Sequence, residues 1–504
     1  MKVALAGDHA GLDYRPMLAS VVESLGHEAV LVGPEVGDRV DFPIAAEALC
    51  RELMAGRVQR GILLCGSGAG MTLAANRFPG VRAATAHDTY TAHQMVEHDA
   101  ANVLTLGTRV IGAEPAAEIA RAFLQAEFQQ VERYRRRLGQ IIDIERNRTV
   151  TPLNALSEAG QAIWLDYIRR DILDDGTLAR YISDLCVTGL TSNPSIFDKA
   201  ITGTDLYDAA ISGTDAEAVF FDLALEDLTR AADLLRTAWD VSDGMDGCVS
   251  LEVSPLLAAD AQTTIEQGTE LFHRANRPNL MIKVPGTPEA PEAIEELIFR
   301  GVNINVTLLF DEIQYRRAAE AYIAGIRRRI EAGLDPHVFS VASVFISRWD
   351  TPTAELVDPS LANRLGIACG VRCHRACEEI FGEAFADLAA KGARRQKLLM
   401  ASTSTKDASL PDTLYISSLA AADSINTIPE PTLLAFADHG AVDGVLGPDH
   451  WTHADQVIAG FEAAGVDVRA LAERLQAEGA DAFVKAWKNM LQGITEKIGQ
   501  LQST

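Results

Sequence analysis

Along the first 148 residues the spacing of apolar positions switches repeatedly between two periods. Short β-rich runs, KVALAG, EAVLVG, GILLCG, RAATAH and NVLTLGTRV, alternate with amphipathic stretches of helical spacing. Five such runs with helices between them predict an open parallel sheet with right-handed crossovers, a Rossmann-like α/β/α sandwich. The segment VERYRRRLGQIIDIERNR (131–148) reads as a helix, its arginines followed by an apolar stripe of Leu138, Ile141, Ile142 and Ile144. TVTPLN then interrupts the helical pattern with a proline. Residues 149–155 therefore read as a linker between a domain over 1–148 and a second over 156–504.

Beyond the linker the runs AIWLDY, GLTSNPS, VSLEVSP, LMIKVP, NINVTLLF, FSVASVF, KLLMAST and SINTIP follow one another, most of them separated by helical stretches. Eight such runs predict a (β/α)8 TIM barrel, a fold that keeps its chemistry on the face where the strands end. Asp166, Asn193, Glu252, Lys283, Asn305, Thr307 and Ser343 stand near those ends and are expected to converge. The last fifty residues read as helices packing over the barrel, and the pattern does not say whether they cover its mouth.

Composition narrows the class. Hydrophobic residues make up 48% and charged residues 23% of the 504, the balance of a soluble globular protein. No stretch approaches the roughly 18 uninterrupted apolar residues of a membrane span. The opening MKVALAGDH enters a strand pattern without a basic region or cleavage site, and seven scattered cysteines read as reduced thiols. Both features lead to the expectation of a cytoplasmic protein. The net charge of -25 argues against nucleic-acid binding, so any phosphate site must be a local cluster working against the global field.

The most informative residue is Lys283, alone among apolar neighbours in LMIKVPGT. An ammonium taken out of water loses hydration, which favours the neutral amine that attacks a carbonyl. Two readings stand: a Schiff-base lysine, or a buried lysine paired with Glu252. A second segment, GILLCGSGAGMTLAANRFPG (61–80), places Cys65 at a strand end, before a three-glycine turn and a helix start. Amides of such a turn point at a bound anion and favour a thiolate, so Cys65 could act as a base. GSGAG turns also bind nucleotides, but these glycines follow the third strand instead of the first, and no acidic ribose partner lies at the usual distance. Cys369, Cys373 and Cys377, four residues apart, would line one helix stripe and cannot close around one tetrahedral ion; a buried helix face is expected, and no metal.

The motifs LTSNPSIF, SLEVSP, LMIKVPGT, NINVTLLF and NTIPEPTL, in this order, make the chain from about Thr151 onward resemble transaldolase. The resemblance implies transfer of a dihydroxyacetone unit from sedoheptulose 7-phosphate to glyceraldehyde 3-phosphate through a Schiff base on Lys283, without a cofactor. It implies that Asp166 is the acid/base for the hydroxyl beside the breaking bond and that Glu252 with Thr307 handles water. Asn193 and Asn305 would hold the donor's hydroxyls. Taken singly, Asp166 could cap a helix, Thr307 could be an ordinary strand residue, and either asparagine could fix a turn. Ser343 and Arg348 fit the family's phosphate end. After the seventh strand many relatives carry an arginine where this chain reads ASTSTKD, so Lys406 with Ser402 is the substitute, a point charge in place of a planar fork.

With GDHAG (7–11), VDFP (40–43), HDAANVLTLGTRVIG from 98 and the arginine helix, the glycine turn makes residues 1–148 resemble ribose-5-phosphate isomerase B. The resemblance implies interconversion of ribose 5-phosphate and ribulose 5-phosphate through an enediolate. Cys65 would move the proton, Ser67 would serve the hydroxyl oxygens, and amides from Gly66 through Gly68 to Gly70 would stabilise the oxyanion. His98 matches the ring-opening residue with Asp8 as helper, and His9, Arg109, Arg133 and Arg137 match the phosphate-side groups. Arg133 and Arg137, four apart, share a helix face, although a solvated basic helix has the same pattern. Asp99 follows His98 where many relatives have asparagine, a carboxylate that could raise the pKa of His98 or repel phosphate and so puts efficiency in question. Relatives build this site across a dimer interface, so at least a homodimer through the first domain is implied. The expectation is a bifunctional enzyme acting on sugar phosphates, its fusion fixing the ratio of two activities or gathering them around a transketolase partner. Open alternatives are an isomerase for a phosphorylated hexose, a fructose 6-phosphate aldolase barrel, and a first domain serving only to dimerise or sense sugars.

Overall fold

Aliphatic runs bounded by glycine and polar turns become strands, and the amphipathic stretches between them become helices. In a computed structural model that describes residues 1–35, 39–146, 151–354, 356–358, 361–442 and 444–502, thirteen strands form two separate sheets. The chain divides into two compact units, one of Met1–Thr149 with Asp171–Asp184 and Asp233–Asp243, the other of Val150–Arg170, Leu185–Ala232 and Gly244–Thr504.

In the first unit β1 (Lys2–Gly7), β2 (Glu28–Leu31), β3 (Arg60–Cys65), β4 (Ala83–Thr85) and β5 (Val103–Gly107) form a parallel sheet in the order β2-β1-β3-β5-β4. The inner strands β1, β3 and β5 are almost wholly buried, as strands covered on both faces must be. Alternate residues serve opposite layers: Val3, Leu5, Ile62 and Leu64 pack on one side, and Ala4, Ala6, Leu63 and Cys65 on the other. The predicted arginine helix spans Glu132–Arg146. Its expected apolar stripe is only partly covered: Leu138 is buried, whereas Ile141 and Ile144 are 44% and 67% exposed.

Of the expected linker, residues 149 and 150 lie outside the described residues. Pro152 does not end a helix there but begins one, Pro152–Glu158, because proline fits the first helical turn and Thr151 and Asn154 form a reciprocal cap. The second unit closes eight parallel strands into a barrel: β6 (Gln161–Asp166), β7 (Val187–Thr191), β8 (Val249–Glu252), β9 (Leu280–Pro285), β10 (Ile304–Leu309), β11 (Ser340–Phe345), β12 (Lys397–Ala401) and β13 (Ser424–Ile428). All eight predicted runs are there. Cys369, Cys373 and Cys377 are buried on the helix Leu365–Phe381. The chain's last described element is a helix of 35 residues, Val468–Gln502. No helix among the described residues is long and apolar enough to cross a membrane.

Candidate active sites

Strand register builds the barrel site. Glu252, Lys283 and Asn305 are Cα partners across β8, β9 and β10, so parallel pairing sets three polar side chains abreast. Lys283 is buried; its Nζ donates to the Ser192 carbonyl at 3.1 Å and lies 3.4 Å from Glu252 Oε2. The latter contact is a close approach and not an aligned hydrogen bond, since both buried Glu252 oxygens lack a hydrogen-bond partner, as does Thr307 Oγ1. Burial pushes the Glu252 carboxyl up to about 7, against the pull of Lys283 and with a further push from Asp166.

Asp166 ends β6 and lies opposite Thr191 in register. The Thr191 hydroxyl donates to Asp166 Oδ1 at 2.7 Å and meets the Thr427 hydroxyl at 2.5 Å. Burial raises the Asp166 carboxyl, opposed by Lys283 and by the Thr191 bond. Asn305 is fixed at both ends, donating to Ser250 Oγ at 3.1 Å and accepting from Ser343 Oγ at 2.7 Å. Asn193 caps the helix Pro194–Ile201 through its Oδ1, which accepts from the Ile196 amide. Arg348 is exposed just past β11, and Lys406 is exposed beyond β12. Ser402, in the left-handed region at φ 56°, bonds the Ser347 hydroxyl at 2.9 Å and so ties those two loops together.

Sequence reasoning missed four contributors to this site. Thr191 and Thr427 look like ordinary strand threonines until register opposes them to the carboxylate. Phe483 and Trp487 come from the C-terminal helix Val468–Gln502, whose Gln476 donates to the carbonyls of Gly286 and Leu308 at 3.0 and 2.8 Å. That anchorage puts Lys283 Nζ over the Phe483 ring, 5.6 Å from its centroid. Trp487 closes in on the same region as Ser192, Asn193 and Glu252. The 476–483–487 spacing is that of a single helix face, the only signal in sequence that could have found them.

In the first unit the ends of β1, β3 and β5 meet, the place where open α/β sheets bind ligands. The Asp8 amide donates to the Leu64 carbonyl at 3.0 Å, and the Thr108 and Arg109 amides donate to the carbonyls of Cys65 and Gly66. Asp8 is buried, and its carboxylate accepts from the Ala10 amide at 2.9 Å. Cys65 is 5% exposed, and the Gly68 amide points at its sulfur, N to Sγ 3.1 Å. Gly68 cannot be replaced cheaply: its φ is 84°, and a Cβ there would lie 2.9 Å from the Thr85 methyl. Ser67 and His9 are exposed, and the Arg109 side chain runs beside Gly66. Gly70 sits against the Phe42 ring.

His98 is held by Tyr134 and Gln94. Its Nε2 hydrogen-bonds the Tyr134 hydroxyl at 2.7 Å, its ring stacks on Tyr134 with centroids 4.1 Å apart, and its Nδ1 faces Gln94 Nε2 at 3.0 Å. The carboxylate within ion-pair reach of His98 is Glu97, at 3.9 Å, and not Asp8. Arg133 lies over the Tyr134 ring, 4.6 Å from its centroid, and Arg137 is exposed. Among the described residues neither arginine bonds the Cys65 turn.

Comparison with known proteins agrees with this division. The family model described as Transaldolase/Fructose-6-phosphate aldolase matches residues 163–494, and that described as Ribose/Galactose Isomerase matches residues 3–141. A transaldolase of Frankia alni is 42% identical over 69% of this chain and 98% of its own length. One of Thermobifida fusca is 40% identical over 69% and 98%. Among solved structures, the type B ribose 5-phosphate isomerase of Trypanosoma brucei is 40% identical and covers 28% of this chain and 95% of its own, with a TM-score of 0.27. The ribose-5-phosphate isomerase B of Clostridium thermocellum is 36% identical, covering 30% and 100%, with a TM-score of 0.29.

Proposed function

Since the chain belongs to the transaldolase family and carries a ribose/galactose isomerase domain ahead of the barrel, we propose that it catalyses two sugar-phosphate reactions at two separate sites. In the barrel, the Lys283 amine adds to the carbonyl of a ketose phosphate, with sedoheptulose 7-phosphate or fructose 6-phosphate as donor. The carbinolamine hydroxyl leaves as water with a proton from Glu252, and the protonated imine remains on Lys283. Asp166 then takes the proton of the hydroxyl beside the breaking bond, whose electrons flow into the imine and release an aldose phosphate. The three-carbon enamine left behind attacks glyceraldehyde 3-phosphate or another aldehyde acceptor, and water, activated by Glu252 with Thr307, frees the product. Asn193 and Asn305 hold the donor's hydroxyls; Ser343, Arg348, Ser402 and Lys406 serve the phosphate end. The observation that carries this reading is the buried Lys283 amine 3.4 Å from a carboxyl that burial holds at about 7, so that acid and base forms are both present at neutral pH.

In the first unit Cys65 is the base that moves a proton between adjacent carbons of ribose 5-phosphate and ribulose 5-phosphate. Supporting it is the Gly68 amide aimed at the sulfur; the amides of Gly66 and Gly70 would serve the oxyanion. Ser67 serves the substrate hydroxyls, and His9 and Arg109 receive the phosphate. His98, Arg133 and Arg137 complete a site in a second copy of the chain; in support, His98 and Arg133 both meet Tyr134, and the helix that carries Tyr134 and the two arginines leaves Ile141 and Ile144 exposed. The fused activities would profit from a partner that transfers two-carbon ketol units between their pools, an association that co-purification tests.

The experiment is a double dissociation on the full chain. Cys65→Ala should abolish aldose-ketose interconversion and leave dihydroxyacetone transfer intact, and Lys283→Met should do the reverse. If no isomerase activity is found with ribose, allose or galactose phosphates, or if it survives Cys65→Ala, the first unit is a dimerising or sensing module. Release of free dihydroxyacetone without an acceptor would mark the barrel as an aldolase instead.

A further inference from the structure

We propose that Phe483, supplied by the C-terminal helix, is the aromatic partner of the cation that forms on Lys283. The inference rests on the Schiff-base reading of Lys283 and extends it to a residue outside the barrel strands. Lys283 Nζ lies over the Phe483 ring at 5.6 Å from the centroid, and both side chains are buried, so the attraction of the ring face for a cation is little screened by water. The ring is held from two sides. Seven residues earlier Gln476, itself buried, bonds the carbonyls of Gly286, just past β9, and Leu308, in β10. One turn later Trp487 packs edge-on against Phe220, with centroids 5.0 Å apart, and tilted against Phe221 at 5.7 Å.

The chemistry gives such a partner a purpose. When the carbinolamine carbon-oxygen bond breaks, the nitrogen lone pair forms the carbon-nitrogen double bond, the oxygen departs as water with the proton of Glu252, and a positive charge stays on nitrogen. Glu252 alternates between acid and carboxylate through the cycle, so its attraction for that charge varies from step to step. The quadrupole of Phe483 does not change with protonation. It therefore favours the protonated imine, the electron sink for bond cleavage, over the free amine and ketose.

The test measures the imine-forming equilibrium of the full-length protein by borohydride trapping across a fructose 6-phosphate titration. Phe483→Leu should lower that equilibrium constant about fivefold, with kcat reduced and KM for the aldehyde acceptor unchanged. Mono-, di- and trifluorophenylalanine at position 483, which keep the ring's shape while draining its face of negative potential, should lower it stepwise. Phe483→Tyr, which keeps the ring face, should restore most of it. An equilibrium constant that stays level along the fluorine series while the wild type traps normally overturns the proposal, because a packing role alone predicts that flat response. Absence of any adduct in the wild type would instead overturn the reading of Lys283, and this inference with it.

Discussion

At the scale of single residues, the behaviour of the barrel site follows from burying two carboxylates beside one amine. Burial raises Glu252 from its ordinary 4.5 to about 7. Between those values the folded chain holds a proton that the unfolded chain has released, so the stability this residue contributes is greatest below about pH 4.5 and is lost as the pH rises through 7. For catalysis the same placement leaves both protonation states populated near neutrality. Dihydroxyacetone transfer should therefore peak near pH 7. Glu252→Gln should cut kcat by about a hundredfold to a thousandfold and flatten the limb that Glu252 sets, measured as the pH profile of kcat/KM. An unchanged profile would remove Glu252 from the proton path. The pairing of Lys283 with Glu252 was legible because a lone lysine in an apolar run needs either a partner or a task. The Thr191 bond to Asp166 was not, because a strand threonine carries no mark of the residue opposite it in register.

At the scale of elements, thirteen strands and their division into five and eight could be read from alternating runs, since central parallel strands must be apolar on both faces. What could not be read was where irregular or long helical segments attach. Pro152 looked like a break because proline disrupts helix interiors, yet at a first helical position it is compatible with the backbone, and Thr151 caps it. The last fifty residues read as helices packing over the barrel without showing whether they reach its mouth, and the contribution of the C-terminal helix depends on Gln476 meeting two strand-end carbonyls. Gln476→Ala should leave both buried carbonyls without this donor and cost about 1–3 kcal/mol. The measurements are the thermal midpoint and the transfer rate together. A fall in both is expected, and a full rate in a destabilised variant would mean that the helix is not needed at the site.

At the scale of the whole molecule, the net charge of -25 means that the proposed binding of anionic substrates needs local attractors, and the proposal supplies them from backbone amides at the Cys65 turn and from basic side chains such as Arg109, Arg348 and Lys406. The two reactions are not consecutive, since a two-carbon transfer lies between their pools, so the proposal asks only that each site work independently within one chain. Its central commitment is covalent: the ketose must become attached to one particular amine. The most direct test is borohydride reduction of the purified protein in the presence of fructose 6-phosphate, followed by peptide mapping by mass spectrometry. The account predicts a reduced sugar-derived adduct on the peptide containing Lys283; an adduct on any other residue, or none at all, would contradict it.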